Sequence, residues 1–432
     1  MKKSILRQTS AYHRNRWKIL AQGSSIATIA SALLLTASVA IAQSPPAATP
    51  KSLTQKTAPQ KAATNKPATQ SASKDRRKST AVVAVRPALK SKLLAQASPA
   101  PAVTPGVTAQ EKADFSLWLK DFRSEARVAG ISEKTLKAAL DDVSEPIPRV
   151  VELDRKQPES TITFDQYLER IVNTNRIERG RTLLLENQAL LNAVSTQYNV
   201  PPQYIVALWG IETDYGRVTG GYSVVGALAT LAFEGRRAQF FRTELLKALK
   251  IIDEGHITAG NMLGSWAGAM GQSQFMPSSF LSFAQDGNND GRKDIWTTLP
   301  DVFASIANYL SSSGWKADRN WGEAVVLPTT LDRAGLDSKN RKPVADWISA
   351  GVTRSDGKRI SFDPNVSAAI VLPGGPEGPA YLVTENYLVF LKWNRSLYFA
   401  TAAGTLADRL VEAPQPDPYA APPTSPVQTP AQ

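Results

Sequence analysis

The chain of 432 residues contains no cysteine and only two histidines. Without cysteine there is no thiol nucleophile, no thiolate zinc site, no disulfide and no Cys for a lipid anchor. A Ser-His-Asp triad or a histidine-rich metal centre would have to rest on His256, because His13 lies in what reads as a leader. His256 follows Glu254-Gly255 in an expected helix-end turn and reads as a plain surface residue. Catalysis therefore falls to carboxylates.

No apolar run is long enough to read as a spanning helix. The longest, from about Ile26 to Ile41, is shorter than the ~20 residues a bilayer requires. It follows Lys2, Lys3, Arg7, Arg14, Arg16 and Lys18 and ends in Ala40-Ile41-Ala42, a small-x-small cleavage pattern. A cleaved secretory signal over 1–42 is the expectation, with an uncleaved anchor as the alternative; either exports the remainder to the periplasm or cell envelope.

Acidic residues are scarce in one part of the chain only. The net charge of +12 divides into +6 for 1–42, +10 for 43–108 and −4 for 109–432. The part able to fold is mildly acidic, which excludes a basic nucleic-acid-binding domain. Residues 43–108, rich in Ala, Pro, Ser, Thr, Gln and Lys, cannot bury a core and read as a disordered cationic tether. Such a tether can rest weakly on an anionic wall or membrane surface, or simply act as a solvated spacer. A second Pro-rich disordered tail begins near Ala413.

The remaining 300 or so residues suffice for a large core with subdomains. Phe115, Trp118, Leu119 and Phe122 recur at helical spacing, and Glu186 to Tyr198 reads as a further amphipathic helix. After Trp321 the pattern changes. Ala324–Pro328, Ala368–Pro373 and Ala380–Thr384 are short aliphatic runs among Gly, Pro and Asp, which predict strands. Helical spacing returns in Ala400–Leu410. A mainly α (α+β) architecture with a small strand-rich insert near 323–392 follows.

Two segments carry the chemistry. Pro201-Pro202 suits a helical first turn, and Ile205, Leu208, Trp209 and Glu212 then fall on one predicted face. A Glu closing an apolar stripe at the C-terminal end of a helix is desolvated and faces the negative end of the helix dipole. Both effects keep it protonated, as a general acid requires. The bland alternative is a Glu turned to solvent at a frayed end. Asp214 points about 200° away on a helix and is a poor second carboxylate. In 264–279, Gly264, Gly268 and Gly271 allow close approach, either to a ligand or to a packed helix. Ser265, Gln272 and Gln274 offer hydrogen bonds, and Trp266, Phe275 and Met276 an apolar wall.

Asp286-Gly-Asn288-Asn-Asp290-Gly291-Arg292-Lys-Asp294 matches the first nine positions of an EF-hand loop, with Gly at position six. Position twelve is Thr297, so the closing bidentate ligand would have to be Asp301 after a longer loop. A structural Ca²⁺ held by Asp286, Asn288, Asp290, the Arg292 carbonyl and Asp301 is one reading; an Asp/Asn/Gly turn without metal is the other. No organic cofactor is expected.

At these residues the chain resembles lytic murein transglycosylases of the membrane-bound B type, which cleave the glycan of peptidoglycan. The resemblance runs through Pro148–Pro158, Ile177–Arg181, Gly210–Gly216, Leu228–Arg237, 264–279, Ala307–Tyr309, Gly314-Trp315, Trp393–Ser396 and Leu406–Leu410, covering essentially all of 109–412. It implies a lysozyme-like catalytic core, an additional helical domain and a small β insert. It implies Glu212 as catalytic acid, and Ser265, Gln274, Asn394, Trp393 and Phe399 as substrate-binding residues. The last two stand where the family often has Tyr. The implied division is 1–42 signal peptide, 43–108 tether, 109–198 helical domain, 199–322 catalytic core with calcium loop, 323–392 insert, 393–412 C-terminal part of the core and 413–432 tail. The implied partner is the peptidoglycan glycan strand, and a monomer is expected. The implied reaction breaks the MurNAc–GlcNAc bond without water and leaves 1,6-anhydroMurNAc ends. A hydrolytic muramidase and a non-catalytic wall-binding scaffold are the alternatives.

Overall fold

The computed structural model describes residues 106–155 and 162–412. The expected leader, most of the tether, the end of the Pro148–Pro158 motif and the C-terminal tail lie outside the described residues.

The first helices begin where the sequence supplies caps. Thr108 and Glu111 form a reciprocal capping box that opens α1 (Ala109–Val128), and Ser132 caps α2 (Glu133–Leu140). There follow α3 (Pro148–Arg155), α4 (Phe164–Ile171), α5 (Thr174–Glu186), α6 (Gln188–Tyr198) and α7 (Pro202–Thr213). Asn187 separates α5 from α6, so the amphipathic stretch starts two residues later than its sequence pattern suggests. A short ribbon pairs β1 (Tyr222–Ser223) with β2 (Leu263–Gly264), enclosing α8 (Val224–Glu234) and α9 (Ala238–Asp253). Then come α10 (Pro277–Phe283) and α11 (Leu299–Ser312).

The strand-rich segment contains β3 (Gly322–Val326), β4 (Lys342–Pro343), α12 (Val344–Ser349), β5 (Thr353–Arg354), β6 (Ser367–Val371) and β7 (Ala380–Val383). The strands form one antiparallel sheet in the order β4-β6-β7-β3-β5. Two closing helices, α13 (Glu385–Trp393) and α14 (Leu397–Val411), return to the main body.

Period-two alternation explains why β6 and β7 are buried on both faces. Ala369, Val371, Tyr381 and Val383 point into the core shared with α7, α11 and α14, whereas Ala368, Ile370, Ala380 and Leu382 join Trp347, Val344 and Val325 in a core of the insert's own. Strands β6 and β7 thereby join the sheet to the main body. Helix α13 packs in the main core through Tyr387, Val389 and Phe390.

Packing shares the segment 109–198 between two cores. Residues from Phe115 to Val150 pack with α8, α9 and the 262–295 region. Phe164, Ile171, Leu191 and Val194 pack with α7, α11 and α14. The central helix α7 is buried over its whole length from Tyr204 to Thr213. The single apolar stripe expected from Ile205, Leu208 and Trp209 is therefore an understatement, because every face of this helix meets protein.

Candidate active site

Glu212 sits in the last turn of α7 and is 5% exposed. The helix stops one residue later because three consecutive residues, Asp214, Tyr215 and Gly216, take positive φ angles of 50°, 61° and 80°. At Gly216 the side chain of Gln272 crosses so closely that a Cβ would lie 2.3 Å from its Oε1. Burial pushes the Glu212 carboxyl up to about 8, and the indole N–H of Trp393, donating to Oε1 at 2.6 Å, only partly opposes it. The acid expected from the sequence is thus buried rather than frayed into solvent.

Asp214 takes no part in this contact. Its carboxylate faces Arg217 Nη1 at 3.0 Å and Arg176 Nε at 3.7 Å.

The 264–279 segment folds as a tight loop rather than a packed helix. Met270 bridges both Gly264 and Phe275, and the Ser265 N–H donates to the Ala269 carbonyl. Gly264 is required by backbone rather than by ligand, since a Cβ there would lie 2.1 Å from the Ala269 oxygen. Ser265 is half-buried and its hydroxyl accepts from the Ala269 N–H at 3.0 Å. Gln274, at φ 50°, donates both amide hydrogens inward, to Thr219 O at 3.1 Å and Gly271 O at 2.8 Å. Its carbonyl oxygen is the end left for a ligand.

Gln272, noted in the sequence only as one polar group among three, ties this loop to the acid's helix. It accepts from Trp209 Nε1 at 2.8 Å and donates to the Trp296 carbonyl at 2.9 Å, while its own carbonyl accepts from the Thr213 hydroxyl at 2.9 Å. Trp209 and Thr213 flank Glu212, so the bonds fix the turn that carries it.

Trp393 and Asn394 end α13, where Asn394 is the C-cap and its Oδ1 accepts from the Ser396 N–H at 3.0 Å. Trp393 packs edge-on to Tyr309 at 4.7 Å and tilted to Phe275 at 5.3 Å. Phe399 departs from the expectation. It is 2% exposed within the main core, in the first turn of α14, so it presents no face for a sugar to stack on. Tyr167 on α4, which the sequence did not single out, has its hydroxyl held well above its ordinary range, by burial first and then by the charge of Glu212. Tyr398, the neighbour of Phe399, packs 5.6 Å from Tyr167. The only sequence signal for Tyr167 is its place in a capped helix, next to the Gln166 of the capping box.

The Asp286–Asp294 loop folds around its own amides. The Asp290 N–H donates to both Asp286 Oδ1 (3.1 Å) and Asn288 Oδ1 (3.2 Å), which brings those oxygens together. Asp301 is fully buried and receives the N–H groups of Gly287 at 2.8 Å and Asp294 at 2.6 Å. Burial nonetheless holds its carboxyl above the usual range. Thr297, at loop position twelve, turns its hydroxyl onto Asp294. Among the described residues no three acidic or histidine side chains already converge as a cage. The oxygen donors nevertheless suit a hard cation, which would also offset the charge of the buried Asp301. His256 belongs to this region and corrects its reading as a surface residue. Its side chain is 14% exposed, and Nδ1 accepts from the Lys293 N–H at 3.2 Å.

Residues 114–408 match the transglycosylase SLT domain. Membrane-bound lytic murein transglycosylase B of Escherichia coli (strain K12) is 29% identical over 251 residues, 57% of this chain and 67% of that one. The chain is also similar in structure to SltB3 from Pseudomonas aeruginosa in complex with NAG-NAM-pentapeptide. That similarity has a TM-score of 0.67 and 41% identity over 68% of this chain and 79% of the other. A third relative, E. coli lytic transglycosylase SLT35 in complex with calcium, gives a TM-score of 0.58 with 26% identity over 69% and 92%.

Proposed function

Because the chain belongs to the transglycosylase SLT domain family, we propose that this lytic murein transglycosylase cleaves the MurNAc–GlcNAc β-1,4 bond of peptidoglycan without water, using Glu212 alone as acid and then base. The observation that carries the reading is the buried Glu212 carboxyl, raised to about 8 and bonded to the Trp393 indole.

At neutral pH such a carboxyl holds its proton and can give it to the glycosidic oxygen as the C1–O bond of MurNAc breaks. GlcNAc leaves with a new 4-hydroxyl. The resulting carboxylate, still held by Trp393, takes the proton of the muramic C6 hydroxyl, and O6 closes on C1 to form the 1,6-anhydro ring. The proton count balances and Glu212 ends as it began. An intramolecular nucleophile has a large effective-concentration advantage over water. That fits a site in which the neighbouring carboxylate, Asp214, is committed to two arginines.

Ser265, Gln274 and Asn394 would position the sugar, with Trp393, Tyr167 and Tyr309 forming aromatic walls. Calcium, if bound, would be held by Asp286, Asn288, Asp290, the Arg292 carbonyl and Asp301, and would brace the loop that leads into α11. An exported location fits a polymeric wall substrate and the leader-like sequence of residues 1–42. No helix among the described residues is long and apolar enough to cross a membrane.

Mass spectrometry of the products released from purified peptidoglycan tests the reading. Anhydromuramic ends from the wild-type protein, and none from Glu212→Gln, are expected. Reducing ends would indicate a hydrolase, and release by neither protein a binding role.

A further inference from the structure

The helix that carries Glu212 ends in strained backbone. Asp214 and Tyr215, neither of them glycine, take φ angles of 50° and 61° directly after Thr213. Left-handed backbone at such residues is unfavourable and persists only where its surroundings over-determine it. Whatever holds this turn therefore bears on the residue at its entrance, Glu212.

Part of the hold is local. The Asp214 N–H donates to the Gly210 carbonyl at 3.0 Å and the Tyr215 N–H to the Trp209 carbonyl at 3.3 Å. The rest centres on one buried hydroxyl, that of Thr213, which is 1% exposed. Its Oγ1 accepts from the Gly216 N–H at 3.0 Å. Of the two carbonyls within its reach, that of Gln272 at 2.9 Å is nearer than that of Trp209 at 3.3 Å. One hydroxyl thus joins the far side of the turn to the 264–279 loop.

Gln272 grips the same helix a second time. Its Oε1 accepts from the Trp209 indole at 2.8 Å, so a single residue spans the helical turn from Trp209 to Thr213 that contains Glu212. Its carboxamide also fills the space that a side chain at Gly216 would need. On its far side Gln272 is fixed by backbone. Its N–H donates to the Ile295 carbonyl at 2.8 Å and its Nε2 to the Trp296 carbonyl at 2.9 Å. The Trp296 N–H donates in turn to Asp294 Oδ1 at 2.9 Å. Each polar group of Gln272 has a protein partner, which suits a strut better than a sugar ligand.

We propose that Thr213 and Gln272 are positioning residues for Glu212, clasping the last turn of α7 to the 264–279 loop so that the acid meets the glycosidic oxygen at a fixed place and angle. The proposal rests on the reading of Glu212 as the proton donor. The Glu212 carboxyl is held by Trp393, whereas Thr213 and Gln272 act through the backbone that carries it. A misplacement of about 1 Å can cost a reacting group about a hundredfold in rate. Loss of the clasp is therefore felt in kcat, while sugar binding, made by other residues, is kept.

The test is steady-state cleavage of soluble glycan strands by full-length variants, each shown to be folded by circular dichroism. Thr213→Val keeps the shape and removes the hydroxyl; kcat should fall by about ten- to a hundredfold with KM unchanged. Thr213→Ser keeps the hydroxyl and should recover most of that loss. Gln272→Met keeps the length, removes the carboxamide and should lower kcat in the same way; it carries the test if Thr213→Val does not fold. The double variant should lose little more than either single one, because both changes open one clasp. Wild-type kcat in either folded single variant overturns the proposal, as does a raised KM at unchanged kcat. Equal losses for Val and Ser at 213, or a double variant whose loss is the product of the two single losses, overturn it as well. Failure of the cleavage reading would show separately, as reducing ends or no release from the wild-type protein.

Discussion

The Trp393 indole N–H donates to Oε1 of Glu212 at 2.6 Å, joining residues 181 positions apart in the chain. The bond makes a steric neighbour into an electrostatic one. Without it the buried carboxyl would rise further above its ordinary range, so Trp393 sets how easily the acid gives up its proton and how well the carboxylate is tolerated afterwards.

Glu212→Gln keeps the shape and removes the proton. Its kcat should fall by about 10²–10⁴, the usual contribution of a positioned general acid. The far-UV circular dichroism of the variant should match wild type. Retention of more than a tenth of the activity would displace Glu212 from the reaction.

The pH dependence carries a sign. The folded-state carboxyl of Glu212 lies near 8, above its unfolded value, so the native state binds the extra proton between those two values. Its contribution to stability is therefore complete below the unfolded pKa and is lost as pH rises toward about 8. Glu212→Gln, which cannot ionise, should gain on wild type across that window by on the order of a few kcal/mol. Thermal melts at pH 5 and pH 8.5 would reveal the gain. Activity should fall on the same alkaline limb.

Trp393→Phe deletes the donor and keeps most of the ring. The alkaline limb of the rate profile should move to higher pH, and kcat should drop by about tenfold or more, as expected for a lost hydrogen bond to a charged group. An unmoved limb would mean that the indole does not stabilise the carboxylate.

If the Asp286–Asp301 loop holds calcium, millimolar Ca²⁺ should raise Tm, by about 2.7 kcal/mol of stability at a hundredfold excess over Kd. Asp290→Ala should abolish the rise. Identical melts with Ca²⁺ and with EDTA would identify the loop as a metal-free turn.

Phe399→Tyr would add the hydroxyl that the resemblance implies at this position, in a side chain that is 2% exposed here. A hydroxyl without a partner in that core should cost about 1–3 kcal/mol, lowering Tm without improving affinity for glycan. Tighter glycan binding by the variant would restore Phe399 to the cleft.

Much of the site could be read from local sequence, because local rules govern it. The Pro-Pro start opens the helix that ends at the acid, and the residues that precede Glu212 in it are largely apolar. The strand-rich segment declared itself by its change of period, although β4, β5 and the helix α12 between them are too short or too polar to register. The 264–279 segment was ambiguous because small residues serve a tight loop and a packed helix equally well. Its bridges to Met270 resolve it as a loop.

Sequence by itself determined the kind of chemistry, since the absence of cysteine and the near absence of histidine leave carboxylates, and helical spacing brings one of them to the end of an apolar segment. Only the tertiary structure decided what surrounds that carboxylate. Trp393, Tyr167 and Gln272 lie 181, 45 and 60 residues from Glu212 in the chain and meet it, or the turn that carries it, through the packing of α13, α4 and the 264–279 loop against α7. Burial and hydrogen-bond partners are properties of space rather than of sequence order. The same residue pattern is therefore compatible with a frayed, ionised Glu and with a buried, protonated one, and the packing of distant elements selects between them.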